Sequence, residues 1–200
     1  MNYVLRLKRI VKSSIENSFY YYIILLLVFI VGTITGSLLV NILSDNINLK
    51  LIDFASPYLR FNLNALEYFK NSIIFNVVFL GLNLIFGLLN LGIVSGLFIF
   101  MRGNLLGLTV GFIIQSKGIK GFILSIFSVY PQHIIYLPCM LLVGVLSILV
   151  NKRTNLINRK KYNSVILSSF DYVILLVLIF ILMTTGSFYE GFISPIFFKL

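Results

Sequence analysis

His133 is the only histidine in the chain, and it lies in Pro131-Gln132-His133-Ile134-Ile135-Tyr136-Leu137-Pro138, a polar patch framed by two prolines within an apolar run. An imidazole in such a place would be a general base, a metal ligand or a hydrogen-bonding group. Catalysis would need a Ser, Cys or carboxylate at motif spacing, and a metal would need further His, Cys or acid ligands. The sequence supplies neither, and it carries no phosphate-binding glycine loop and no H-E-x-x-H. Cys139 is the single cysteine, so a disulfide within the chain is excluded. His133 and Gln132 are therefore expected to hydrogen-bond across helices or to a backbone group freed by Pro131. An interrupted helix can also form a transport site. Against that, the apolar runs hold almost no acids, and Asp171 and Glu190 lie at the edges of such runs, where solvated ends are expected. No catalytic residue, cofactor or metal is expected.

The elements that position these residues are membrane spans. The chain has 200 residues, 59% hydrophobic and 11% charged, and its mean hydropathy is +1.02. Several apolar runs reach 18 residues or more, so an all-α, polytopic bundle of about five transmembrane helices is predicted, forming one membrane domain over residues 1–200. The net charge of +10 then reports membrane topology and the lipid bilayer as partner, not nucleic acid. The basic start precedes an apolar run too long for a signal peptide, so no cleavage is expected.

Residues 1–18 hold Arg6, Lys8, Arg9 and Lys12 among apolar residues, as a surface helix or a solvated anchor would. Phe19–Val40 is the first span; it contains Gly32-Thr33-Ile34-Thr35-Gly36, a small-residue spacing that is weak by itself. Asn41–Asn71 is a polar loop with a break at Ser56-Pro57, and two short amphipathic helices fit it. Phe122–Val150 is an apolar run expected to kink or break at Pro131–Pro138. Asn151–Asn163 is a basic loop, Ser164–Thr185 the last span, and residues 186–200 a tail with Glu190 and Ser194-Pro195.

The region from Gly92 to Ser116 has two readings. On one helix at about 100° per residue, Gly92, Gly96, Gly103, Gly107 and Gly111 fall within roughly 100° of one another, a face for close helix packing. That requires the preceding turn near Asn90 and places Arg102 inside the membrane, at a cost of ~2.5–3.5 kcal/mol. The other reading puts the turn at Arg102 and leaves a short span over 104–116. The cost favours the turn at Arg102. Lys117-Gly118-Ile119-Lys120-Gly121 reads as a tight turn.

With five spans and the turn at Arg102, ten of the Lys and Arg residues lie on the side of the N-terminus and six on the other. The N-terminus, residues 1–18, and the 151–163 loop are therefore expected in the cytoplasm, with the 41–71 loop and the 186–200 tail outside. A four-span layout would place the basic 151–163 loop outside and is rejected.

Several stretches resemble the stage II sporulation protein M family of Gram-positive spore formers. They are Arg102-Gly103, Gly107–Phe112, Gly118–Phe122, Ser125–Gln132 and Pro138, with Glu190-Gly191-Phe192-Ile193-Ser194-Pro195 near the end. Pro131, Gln132 and Pro138, and Glu190, Ser194 and Pro195, carry the most specific parts. In the wider family the central patch often reads P-H-G-x-x-E-x-P; here Gln132, His133 and Tyr136 stand at the His, Gly and Glu. The resemblance implies a mother-cell septal membrane protein that works in engulfment with two cell-wall hydrolases, stage II sporulation proteins D and P. It thus implies a non-enzymatic scaffold, with the 41–71, 117–121 and 186–200 segments as outward contacts. A channel or transporter through the Pro131–Pro138 break is the alternative.

Overall fold

A computed structural model describes the backbone of residues 3–42, 64–89, 91, 94–155 and 169–198. The described elements are α1 (Tyr3–Ile42), α2 (Ala65–Leu88), α3 (Val94–Ser128), α4 (Tyr130–Asn155), α5 (Ser169–Phe188), a π-helical turn (Tyr189–Ile193) and α6 (Ser194–Phe198). No strand occurs among the described residues, and five helices are long and apolar enough to cross a membrane.

Local chemistry fixes the element ends. α1 bends at Ser18, whose backbone leaves the helical region (φ −128°, ψ 15°); this is the expected junction between the basic start and the first span. α2 starts earlier than the sequence suggested. Glu67 reaches back to the Asn64 backbone N–H at 3.4 Å, one half of a capping box, while the Asn64 carbonyl accepts from the Glu67 and Tyr68 N–H groups. The greater part of the 41–71 loop lies outside the described residues.

α2 ends at Leu88, and α3 has begun by Val94. The turn therefore falls near Asn90, not at Arg102, and α3 runs through Arg102 without a break. The expectation of a turn at Arg102 assumed an arginine exposed to hydrocarbon. In the folded bundle it is buried by its neighbours and has polar and aromatic partners. Asn90 and Gly92 themselves lie outside the described residues.

α3 is two helices in one. Gly118 adopts φ +58° and ψ −135°, a combination open to glycine and costly for any residue with a Cβ. After it the chain turns back, so that a Cβ on Gly121 would strike the Ile113 carbonyl. On a straight helix these two residues would lie about 12 Å apart. The returning arm, 119–128, and α4 then descend in one direction, interrupted at Val129.

The break expected around Pro131–Pro138 thus falls at its N-terminal edge. Pro131 occupies the first turn of α4, where its missing N–H costs least, and Pro138 lies inside the continuous helix. Without a Pro131 N–H, the carbonyl four residues back, that of Phe127, has no helical donor. The Tyr189 hydroxyl donates to it at 2.5 Å.

Side-chain contacts give the directions. Arg102 meets Asn76 and Ser95 meets Asn83, so α2 and the first arm of α3 are antiparallel. α1 is parallel to that arm, because Phe29, Thr33 and Ser37 meet Gly103, Gly107 and Gly111 in order. α4 runs against it and α5 runs with it, giving five passes. The last pass does not end at Thr185. Helical structure continues through residues 186–198, and its apolar span extends to Phe197.

Of the glycines placed on one face, Gly103, Gly107 and Gly111 pack closely against α1. A Cβ at Gly103 or Gly107 would meet the Phe29 or Thr33 carbonyl, and one at Gly32 or Gly36 would meet the Phe100 or Asn104 carbonyl. Gly111 abuts Val40 and Ser37, whereas Gly96 makes ordinary contact with Leu25 at 3.8 Å. The Gly32-x-x-x-Gly36 spacing is the other half of this seam. The apolar core draws on α1 to α5, with Leu25, Phe79, Ile99, Met140 and Ile179 among its buried members.

Candidate functional site

Ser72, Asn76 and Asn83 fall within roughly 40° of one another on α2 at 100° per residue. All three are buried. An apolar span with a polar stripe must turn that stripe toward partners, because lipid offers none. α2 does so toward Arg102, Tyr136, Ser187 and Glu190, which arrive from α3, α4, α5 and the π turn.

Arg102 stands about two turns into α3 and is 8% exposed. One terminal nitrogen donates to Asn76 Oδ1 at 3.1 Å, and the guanidinium carbon lies 4.7 Å from the Phe75 ring centre and 5.2 Å from that of Tyr136. Cation–π contact of this kind, out of water, offsets part of the arginine's desolvation. Asn76 passes the connection on, its Nδ2 donating to Ser187 Oγ at 3.0 Å.

The Tyr136 ring is fully buried over Gly186, where a Cβ would overlap it. Its hydroxyl donates to Glu190 Oε2 at 2.9 Å, and Ser72 Oγ donates to the same oxygen at 2.6 Å. Each hydroxyl has one proton, and both are directed to the carboxylate. With the Tyr136 proton directed to Glu190, the Ser187 proton is the one that makes its 3.2 Å contact with the Tyr136 hydroxyl, in competition with the Met183 carbonyl at 3.1 Å. Arg102 and Glu190 are thus joined through Asn76, Ser187 and Tyr136 without direct contact.

The π turn is the reason Glu190 arrives here. One such turn rotates the following residues relative to an α-helix and is common at functional sites. Glu190 is half-buried and Gly191 is pressed against Phe69 of α2. Glu190 was expected to be a solvated end, and the centre was expected to lack a carboxylate because Tyr136 stands in place of one. Both expectations fail: Tyr136 holds the Glu190 carboxylate, brought from a distant part of the chain.

His133 makes neither of the expected bonds: its Nδ1 is hydrogen-bonded within its own segment, to the Val129 carbonyl at 2.9 Å, while the carbonyl freed by Pro131 is taken by Tyr189. A carbonyl only accepts, so Nδ1 carries the proton. The ring also meets Tyr136 edge-on at 5.8 Å. Gln132 and Ser194 are buried, and neither side chain has a hydrogen-bond partner among the described residues; nor has Arg102 Nε. Pro138 is exposed and Pro195 half-buried, away from these hydrogen bonds. Among the described residues no group of three His, Cys or acidic side chains is placed to hold a metal.

A shallow crevice opens beside Asn76 and Ser187, lined also by Ile73, Val77, Phe180, Met183 and Thr184, and is too narrow to admit water. A second polar knot, Ser95 to Asn83 Oδ1 at 2.7 Å and Ser147 to the Asn83 carbonyl at 2.8 Å, ties α2, α3 and α4 near their other ends. Sequence reasoning missed Ser72, Asn76 and Ser187, although the stripe on α2 was there to be read.

A family model described as stage II sporulation protein M matches residues 25–195. The match takes in most of the first apolar span, the polar centre and the Glu190–Pro195 segment. No curated protein and no solved structure gives a significant match. The chain belongs to the stage II sporulation protein M family.

Proposed function

From this membership in the stage II sporulation protein M family, we propose that the chain is a non-enzymatic scaffold of the engulfment machinery, recruiting and holding cell-wall hydrolases, stage II sporulation proteins D and P, at the mother-cell septum. Family membership carries the reading. A bundle closed by backbone-to-backbone packing on one side and by linked polar side chains on the other supports it, since a platform for partners needs fixed geometry. The N-terminus and the basic 151–163 loop lie in the cytoplasm on this reading, and the 41–71 loop and the 117–121 turn face the wall. Moving Arg102 into the membrane leaves nine Lys and Arg on the first side against six on the other, which keeps the orientation.

Co-purification tests the scaffold. The full chain in detergent at native levels retains the D- and P-type hydrolases; failure to retain either would remove the basis for the reading. Cysteine accessibility tests the orientation. A cysteine at Asn46 reacts with an impermeant reagent from outside intact cells and one at Asn155 does not, whereas Ser187 is buried in the bundle and reports neither side. The reverse pattern inverts the topology.

The second reading, a channel or transporter, gains one observation: Glu190 supplies the interior carboxylate that the α4 patch lacks. Flux of a small solute in proteoliposomes, lost in Glu190→Gln and in Gln132→Leu, would replace the scaffold reading. The narrow crevice beside Asn76 favours the scaffold.

A further inference from the structure

Gln132 and Ser194 pose a problem that the hydrogen-bonded centre does not solve. Both are 0% exposed, and the Gln132 amide leaves its oxygen and nitrogen without a partner among the described residues, as Ser194 does its hydroxyl. A buried primary amide without hydrogen bonds is strongly disfavoured, and such groups are usually satisfied by ordered water.

Their positions say where that water would lie. Gln132 precedes Tyr136 by four residues, one turn of α4, and so shares its face. Ser194 follows Glu190 by four residues at the start of α6. α4 and the α5–π–α6 segment run in opposite directions, so both side chains lie one turn beyond the Tyr136–Glu190 contact, at the same level. We propose that the seam between α4 and the π turn, lined by Gln132, Ser194 and Glu190, is a water-binding site through which the Glu190 carboxylate exchanges a proton with solvent.

The chemistry balances. Hydronium in the seam gives a proton to a Glu190 carboxylate oxygen, leaving water and a neutral acid; the reverse step returns the proton. In the charged state Ser72 and Tyr136 donate to Oε2. The neutral acid instead has one proton to donate, and the Gln132 amide oxygen and the Ser194 hydroxyl are acceptors on the solvent-bridged side. The titratable and charged groups on the elements packed about Glu190 are Tyr136, in direct contact, Arg102 on α3, His133 on α4, Glu67 and Lys70 in the first turns of α2, and the adjoining Tyr189. Arg102 is joined to Glu190 through neutral side chains and makes no direct ion pair with it. The site is independent of which partner binds the protein.

Infrared difference spectroscopy on the full chain in liposomes tests this. A protonated-carboxyl band that follows bulk pH and is lost in Glu190→Gln is expected. In Gln132→Met with Ser194→Ala, hydrogen–deuterium exchange of that band slows by roughly tenfold or more, because the bridging water has lost its anchors. A band that ignores bulk pH, or exchange unaffected by the double variant, overturns the proposal. If the double variant does not fold, Ser194→Ala alone carries the exchange measurement. Stability gives a separate reading: Gln132→Met lowers Tm if the amide binds water, whereas an unchanged or raised Tm means the seam is dry and overturns the site.

Discussion

α3 holds the bundle together by two unlike faces. On one, Gly103, Gly107 and Gly111 meet Phe29, Thr33 and Ser37 of α1 at backbone distance. On the other, Arg102 begins the line of polar side chains that ends at Glu190. Arg102 and Gly103 are adjacent in sequence, about 100° apart around the helix. The glycine seam associates helices by dispersion and close approach, which lipid does not compete with. It accepts no added carbon and is indifferent to charge. The polar face tolerates changes of size but depends on each donor and acceptor, since nothing in hydrocarbon replaces a lost one. Its partners also come from four separate elements, so it reports whether the last pass is in place.

Four substitutions would break or sharpen this contrast. The largest effect belongs to the glycine seam. Gly107→Ile places branched carbons on the Thr33 carbonyl, and a loss of about 3 kcal/mol or more is expected, seen as a polydisperse profile or early unfolding in detergent. Glu190→Ala comes next, at about 2–3 kcal/mol, because it strands the Ser72 and Tyr136 hydroxyls that donate to the carboxylate. Here Glu190→Gln should recover most of the stability, which no conservative change at Gly107 would do. Gly118→Ala should cost about 1–3 kcal/mol through backbone strain alone, since a Cβ there meets nothing within 4 Å. Tyr189→Phe, which strands the Phe127 carbonyl, should cost about 1 kcal/mol. Chemical unfolding in one detergent ranks all four. If Gly107→Ile proves milder than Glu190→Ala, the seam is not the tighter constraint.

Much of this was legible in the sequence. The five passes follow from apolar length, and the glycine face from 3.6-residue periodicity, which needs no knowledge of the partner helix. The partner, Gly32-x-x-x-Gly36, was visible too, but a single G-x-x-x-G does not say which helix it meets. Arg102 was misread because insertion cost was assessed for an arginine facing lipid, whereas its partners Asn76, Phe75 and Tyr136 come from helices that only the tertiary fold brings near. Glu190 was misread for a related reason. Its distance from Tyr136 along the chain, and the π turn that directs it inward, are not properties of any local window. Pro131 and Pro138 signal a break, but which one is accommodated depends on Tyr189 being at hand for the Phe127 carbonyl.

The parallel pairing of α1 with α3 has a consequence for assembly during synthesis. Phe29 finds its counterpart only when Gly103 has entered the bilayer, with the 41–71 loop and all of α2 made in between. At bacterial-to-general elongation rates of about 5–20 residues per second, α1 waits for several seconds with Gly32 and Gly36 bare. Those glycines are then an open surface for any small-residue helix in the same membrane, including α1 of a second nascent chain. The hairpin at Gly118 cannot shorten that interval, because it forms after the seam's last glycine has been inserted. Correct pairing therefore rests on the intervening α2 keeping the two halves of one chain close while they remain apart in time.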